Sequence, residues 1–352
     1  MANNRAEFPS YVRQALAARV NNRCCFPGCS QITSGPSAES DTSKANTGIV
    51  CHIVPATQSA RARRHDPNVT AEQRALPSNG IYMCRVHGKL IDDDEVTFTT
   101  GMLKRWREVG ELRAQIHQQT GIEPTFGSAE FANLPLAEDA CEIISFGGAP
   151  QQIGELLLHC ATEQIWGSAF ARAARDLTIE VVRNALEKGG ATNVKVAVTP
   201  DRIQILDNGC LFDPLTLSSR EGRGGRASVV AMYDRHGHEC VLTYRHAQNH
   251  NTFSIGRAIR AGDVKQKTEC ILEVVSRDPP TLLGDQTILE TCSIIYVKLP
   301  KYASHSEVYM FERELPRLLP SGKQIVFVLE GASEDVTALL VKLFPTAKIM
   351  SL

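Results

Sequence analysis

The residues able to do chemistry fall into two groups along the chain. In the first, CCFPGC at 24–29, CHIVPA at 51–56 and NGIYMCRVHGKLID at 79–92 supply cysteines, two histidines and an asparagine. Cys25 and Cys29 are separated by three residues, with Pro27 and Gly28 between them, and Cys84 and His87 by two. Short loops of this kind bring soft ligands together, and four such ligands close a tetrahedral zinc site. The expected structural zinc set is therefore Cys25, Cys29, Cys84 and His87, with Cys24 an equal alternative to Cys25. A stretch this polar has little core of its own and gains from such a staple. In the second group, Glu180 and Asn184 lie four apart on one helix face, where an acid and an amide can serve a water and a metal ion together. Asp207-Asn208-Gly209 follows a strand pair, and the glycine run EGRGGRAS at 221–228 leads into the apolar start of a helix, VVAMY. Backbone N–H groups at such a loop cradle phosphate. No GK[ST] follows the run and no strand precedes it, which excludes a Walker A loop and a dinucleotide fingerprint.

Elements of two kinds must hold these groups. Residues 9–23 predict a short helix on Tyr11, Val12, Leu16 and Val20, and residues 30–47, rich in Ser, Thr, Gly and Asn, predict a loop. GIVCHIV at 48–54 reads as a strand, and Leu103, Trp106, Val109, Leu112 and Ile116 mark an amphipathic helix over 101–118. Three prolines place a linker after residue 120. Beyond it, ARAARDLTIEVVRNALEKGG at 171–190 predicts a helix closed by Gly189 and Gly190. Strands are expected at 193–199, 201–207, 239–245, 251–259, 269–276 and 293–300. A helix, the strand KQIVFVLE and the helix DVTALLVKLF complete a small appended α/β unit.

The chain has 352 residues, 43% of them hydrophobic, enough for two domains and a smaller third unit. Net charge is -1, but residues 1–120 hold fifteen Lys/Arg against eleven Asp/Glu. A mildly basic N-terminal part is compatible with nucleic acid without requiring it. Of eleven cysteines, Cys141, Cys160, Cys210, Cys240, Cys270 and Cys292 stand in apolar or strand-like contexts and read as small buried hydrophobes. No apolar run approaches a membrane span, and the polar N-terminus carries no signal peptide, so a reducing, cytoplasmic setting is expected.

On CFPGC, CHIVPA, the asparagine of NGIYMC, and CRVHGKLID, with LKRWREVGE as a trailing helix, residues 20–117 resemble the HNH endonuclease superfamily and its ββα-metal fold. The resemblance implies that His52 is the general base that deprotonates a water for attack on phosphorus. It implies that Asn79 positions the loop or the metal-bound phosphate. An imidazole neutral near pH 7 suits proton abstraction, and a catalytic Mg²⁺ or Mn²⁺ stabilises charge on the phosphate. The sequence departs from the family at Cys51, where an acid or histidine usually precedes the base. It departs again at Gly88, where active members carry a second metal-binding histidine. Asp66, Asp92 and Asp93 are oxygen donors within the stretch, and Arg61, Arg63, Arg64, Arg74 and Arg85 read either as phosphate contacts or as a solvated face.

On Glu180-x-x-x-Asn184-Ala185, Asp207-x-Gly209, the run Gly222, Gly224, Gly225, and Thr291-Cys292-Ser293-Ile294-Ile295, residues 150–300 resemble the GHKL ATPase superfamily. That superfamily includes gyrase B, MutL, the heat-shock chaperone ATPases and histidine kinases. The resemblance implies that Glu180 activates water, Asn184 holds Mg²⁺ between the phosphates of ATP, and Asp207 accepts from the adenine amino group. Gly209 leaves room for the base, the glycine run closes as a lid, and Thr291 supports Asp207. A kinase role is disfavoured, because the helix at 152–167 bears only His159 and no phosphoacceptor hairpin precedes it. His236 and His238 in DRHGHE hint at metal, though a turn explains them as well.

The expected protein is α+β: a zinc-stapled ββα-metal module over 1–120, a linker over 121–150, and a GHKL (Bergerat-type) sandwich of mixed sheet and helices over 151–303. A C-terminal extension occupies 304–352. The expected function is an ATP-regulated, metal-dependent DNA endonuclease of the kind used in antiphage defence, dimerising on ATP. The competing expectation is a non-catalytic zinc module that binds nucleic acid or a partner protein and is switched by the ATPase.

Overall fold

The computed structural model describes residues 5–29, 31–215, 225–275, 281–318 and 322–352. Its fold is mixed α+β. The first helix, α1 (Ser10–Arg19), buries Val12 and Leu16. It stops short of the expected end because Asn21 and Asn22 adopt φ of 51° and 54°, a left-handed geometry that asparagine tolerates and a helix does not. The stretch read as loop holds a small hairpin, β1 (Ser34–Pro36) and β2 (Lys44–Asn46). Then come β3 (Gly48–His52), the single turn α2 (Ala71–Arg74) and β4 (Gly80–Cys84). β3 and β4 pair antiparallel, setting His52 opposite Gly80 and Gly48 opposite Cys84. Helix α3 (Arg85–Asp93) follows β4 directly, and α4 (Thr100–Thr120) buries Met102, Leu103, Trp106 and Val109. Gly121 ends α4 at φ 71°.

The single turn α5 (Ala129–Ala132) leads to β5 (Asp139–Ile143), α6 (Ala149–His159), α7 (Thr162–Trp166) and α8 (Ser168–Glu187). Gly190, at φ 68°, lies beyond the end of α8 where a glycine terminator was expected. Strands β6 (Val194–Val198) and β7 (Arg202–Asp207) are joined by a tight turn. Next are α9 (Gly225–His236), β8 (Cys240–Ala247), β9 (His250–Arg257), α10 (Val264–Lys267), β10 (Ile271–Val275) and β11 (Thr281–Leu283). The chain closes with α11 (Gln286–Thr291), β12 (Ile294–Lys298), α12 (His305–Leu318), β13 (Gln324–Leu329), α13 (Glu334–Leu343) and β14 (Lys348–Ser351).

Contacts divide the chain into two compact units. Unit 1 comprises 1–138 with 157–168, and unit 2 comprises 139–156 with 169–352. Unit 1 is small in regular structure, with two two-stranded sheets, β1–β2 and β3–β4. Phe8, Val12 and Leu16 form a cluster against which Val50 of β3 packs. His52 shares the face of Val50, because side chains alternate along a strand.

Unit 2 holds two five-stranded sheets. One is antiparallel throughout, in the order β5-β6-β7-β9-β8. The other, β11-β10-β12-β13-β14, is parallel except at β11, with α12 and α13 among its crossover connections. The sheets are tied by Tyr296 of β12, whose buried hydroxyl accepts from Leu242 N (2.7 Å) and donates to Leu242 O (2.9 Å) on β8. Along β7, Ile203, Ile205 and Asp207 share the buried face.

Three further details differ from the sequence reading. β5 lies within the stretch read as linker. β10 and β12, expected with the preceding strands, share a sheet with the tail strands β13 and β14, so the C-terminal layer begins well before residue 304. Cys270 and Cys292 are paired in a disulfide rather than packed as separate apolar side chains. Their Cα atoms stand 5.9 Å apart at the entries to neighbouring strands, a spacing that only the sheet order reveals.

Candidate functional site

In unit 1, the ligand atoms of Cys24, Cys29, Cys84 and His87 all lie within 4.8 Å of one another, a cluster able to hold a metal ion. His87 Nδ1 is 3.1 Å from Cys84 Sγ and 3.5 Å from Cys24 Sγ. A tetrahedral zinc with bonds of about 2.3 Å to sulfur and about 2.0 Å to nitrogen sets S···N near 3.5 Å, so the donor set fits. Phe26 stacks on the His87 ring at 4.0 Å and 7°, which fixes its orientation. Burial raises the Cys24 thiol, a cost to the thiolate that a bound cation would offset, and lowers His87, which keeps its ring in the neutral, metal-binding form.

The cysteine of this adjacent pair that joins the cluster is Cys24, not Cys25. Neighbouring side chains on an extended segment point to opposite sides, and Cys25 turns toward α4, where a Cβ on Gly110 would come within 2.8 Å of its sulfur. The Cys25 thiol is pushed up to about 12 by burial, opposed by the charge of Arg113. It acts as a small core residue.

His52 ends β3. Its ring stacks on Phe8 at 3.9 Å and 13°, and Nε2 lies 2.9 Å from the Ala6 carbonyl oxygen. A carbonyl only accepts, so Nε2 carries the proton in the neutral ring and Nδ1 keeps the lone pair. Burial lowers the His52 pKa, with the Ala6 hydrogen bond opposing, and so favours the neutral base form.

Asn79 is 8% exposed, and its amide is occupied by backbone. Oδ1 accepts from Val54 N (2.8 Å), while Nδ2 donates to Val54 O (2.7 Å) and Arg74 O (2.9 Å). Its place is that of a positioning residue for the loop after His52. Gly88 lies against β3, where a Cβ would come within 2.4 Å of Ile49 and 2.9 Å of Cys51 Sγ. The close approach of α3 to β3 leaves no room there for a histidine, and Cys51 is itself 4% exposed.

The arginines separate by environment. Arg74, 1% exposed, donates to the carbonyls of Val69, Pro55 and Asp66, and is a structural clamp. Arg64 likewise donates to Ile53 O and Ile91 O. Arg61, Arg63 and Arg85 remain exposed, with Arg63 beside Asp93 at 3.2 Å. Asp92 pairs with Arg64 at 3.4 Å, and Asp66 Oδ1 accepts from Asn68 N. Among the described residues, the Cys24 group is the one cluster of three or more metal-capable side chains.

In unit 2, a narrow cleft is lined by Val181 and Ala185 of α8, Asp207 of β7, Tyr244 of β8, and Asn251 and Phe253 of β9. Its free volume is about 10 Å³, room for roughly one water. Asp207 Oδ1 accepts from Gly209 N (2.9 Å) and Asn251 Nδ2 (2.8 Å). Gly209 is required by crowding, since a Cβ would come within 2.8 Å of Gly189 O. On α8, Asn184 is buried, and half-buried Glu180 accepts from Arg183 Nη1 at 2.6 Å. Of the glycine run, Gly222 and Gly224 lie outside the described residues, and Gly225 opens α9.

Thr291 does not support Asp207. Its hydroxyl donates to Ile288 O (2.7 Å) and accepts from Arg245 Nε (3.1 Å) at the end of α11, ahead of the other sheet. The group holding Asp207 is Asn251, directly opposite it in the β7–β9 register and 4% exposed. Asn251 Nδ2 also donates to Cys210 O (3.0 Å), and its Oδ1 accepts from Tyr244 Oη (2.6 Å). The sequence signal for it was the polar run NHN opening a strand, readable only once β9 is known to pair with β7. His236 is also accounted for structurally: it is buried, and Glu239 bridges it at 2.8 Å to Arg257 at 2.7 Å.

Compared with known proteins, the chain matches no family model, no curated protein and no solved structure. No helix among the described residues is long and apolar enough to cross a membrane.

Proposed function

We propose that the protein is an adenine-nucleotide-regulated, metal-dependent DNA endonuclease, with unit 1 acting on DNA and unit 2 binding ATP. The observation that carries the nucleotide half is the fixed carboxylate of Asp207, locked by Asn251 and Gly209 at the wall of an otherwise apolar cleft. A carboxylate so held offers its remaining lone pairs to an amino group, the recognition an adenine needs. Entry of a base requires the outer wall, Cys210 to Pro214, to shift outward from its nearly closed position. Glu180, on the same helix as buried Asn184, would take a proton from the attacking water once released from Arg183. A magnesium ion at Asn184 would supply charge neutralisation for the phosphates.

The nuclease half rests on His52, a neutral imidazole at a strand end with its tautomer set by the Ala6 carbonyl. Support also comes from the order β3, β4, α3 around a Cys₃His cluster that fits zinc. A second reading is favoured by Asn79, Gly88 and Cys51, none of which offers a metal ligand beside His52. In that reading, unit 1 binds nucleic acid or a protein without cutting it. Supercoiled plasmid incubated with Mg²⁺ or Mn²⁺, with and without ATP, decides between them. Nicking by wild type that disappears in His52→Ala supports the nuclease; intact plasmid under every condition leaves the binding module.

A further inference from the structure

Helix α1 presents two stripes. Val12 and Leu16 are buried, while Ser10, Arg13, Gln14 and Ala17, at spacings of three and four, line an open groove of about 700 Å³. The facing wall is built from Ser34 of β1, Lys44 and Asn46 of β2, and Gly48 to Val50 of β3. Among the described residues β3 pairs with β4 alone, and Tyr82 of β4, opposite Val50, also lines the groove.

The lining has a consistent chemistry. Arg13 and Lys44 are exposed cations, and no carboxylate lines the groove. Gln14, Asn22, Asn46, Ser10, Ser34 and Tyr82 contribute amides and hydroxyls. Small residues Ala17, Ala18 and Gly48 keep the floor low. We infer that this groove is the nucleic-acid track of unit 1, with Arg13 and Lys44 each neutralising a backbone phosphate. A phosphodiester chain asks for this mixture: cations for charge, amides and hydroxyls for non-bridging oxygens, and a floor free of acids. A peptide adding to the β3 edge would need apolar recesses for alternate side chains, and Ile49 and Val50 are the only branched aliphatic side chains in the lining. The inference rests on the reading of unit 1 as a nucleic-acid module and names the surface that does the binding.

The test is fluorescence anisotropy of labelled duplex DNA with the full-length, metal-loaded protein, in buffer without added Mg²⁺ or Mn²⁺, over a range of salt. Counterion release sets a slope of about -0.9 per neutralised phosphate in log K against log salt. The Arg13→Gln/Lys44→Gln double variant is expected to lose about 1.8 from that slope and to bind at least tenfold more weakly at low salt. The charge-matched control, Arg317→Gln/Lys342→Gln in unit 2, should keep the wild-type slope. Both groove side chains are exposed, and an unchanged metal content confirms that the fold persists. Wild-type binding with an unchanged slope in the groove variant overturns the track while sparing the module. Wild type that binds neither duplex nor single strand overturns both.

Discussion

In unit 1, His52 stands at the end of a strand that has one partner among the described residues, and the fixed point, at the opposite end of the β3–β4 pair, is a knot of three sulfurs and an imidazole. In unit 2, Asp207 stands at the end of a strand inside a five-stranded sheet, facing side chains that are mostly apolar. The difference is one of means. A two-stranded sheet has too little area to hold a polar side chain by packing, so unit 1 uses polar clamps: Arg74 on three carbonyls and Asn79 on two. Unit 2 buries a long list of aliphatic residues and needs one amide, Asn251, to aim its carboxylate. Unit 1 has an apolar core of its own around Ile81, Met83, Leu103 and Trp106, and we expect a metal at the Cys₃His cluster to add to it, whereas unit 2 rests on burial.

The sharpest break of that contrast is metal removal. Structural zinc contributes on the order of 10 kcal/mol in small zinc domains, comparable to the whole stability of a typical single domain. Chelation, or Cys84→Ser, should abolish the calorimetric transition of unit 1 while leaving that of unit 2 in place. Cys24→Ser should lower the metal content to zero, whereas Cys25→Ser should retain one metal per chain. A chain that stays fully folded without metal would show that the clamps alone suffice. Next in size is Glu180→Ala, expected to lower the rate of ATP hydrolysis by about 10²–10⁴-fold with little change in nucleotide affinity. A parallel loss of affinity would move Glu180 from proton transfer to binding.

A smaller effect separates Asn251 from Thr291. Asn251→Ala removes the donor to Asp207 Oδ1 and leaves Tyr244 Oη without its 2.6 Å acceptor. Nucleotide affinity, read by calorimetry, should fall about tenfold, and stability by about 1–3 kcal/mol for the buried groups left unpaired. Thr291→Ala should leave affinity within about twofold, because its hydroxyl bonds to Ile288 and Arg245 instead. Equal losses in the two variants would mean that Asn251 serves the fold and not the carboxylate.

How much of this was legible depends on the range of the contact. Most strands of unit 2 follow from alternation, and β6 and β7 agree with expectation to within one residue at each end, while β5, β11 and β14 were not foreseen. The glycine beyond α8 was visible because only a residue without Cβ enters the left-handed region cheaply. The metal group was visible as short-range spacing, down to the ambiguity between Cys24 and Cys25, which turns on side-chain direction and not on spacing. What stayed hidden was strand order. Asn251 opposite Asp207, Cys270 beside Cys292, and β12 beside β13 each require knowing which strands are neighbours. Periodicity in one strand carries no such information. The buried roles of Arg64 and Arg74 were hidden for a related reason: a guanidinium bound to carbonyls has the same sequence signature as one bound to phosphate.

The finest distinction between the units is a matter of protons at His52. Burial lowers its pKa, so the folded ring stays neutral while the unfolded ring takes a proton near its ordinary value of about 6.5. As pH falls through 6.5, the unfolded state binds more protons than the folded state, and stability falls with it. The stability is present above that pH and is lost toward the depressed folded value. His52→Gln removes this dependence along with the stack on Phe8. At saturating metal, the gap between wild type and His52→Gln in the urea midpoint of unit 1 should therefore narrow between pH 7.5 and pH 5.5. A gap that widens on acidification would mean that the folded ring gains its proton first. That requires a carboxylate outweighing burial, with Asp92 and Glu7 the acidic groups that already act on the ring. Unit 1 would then hold its histidine as an ion pair and not as a base kept neutral by the Phe8 stack and the Ala6 carbonyl.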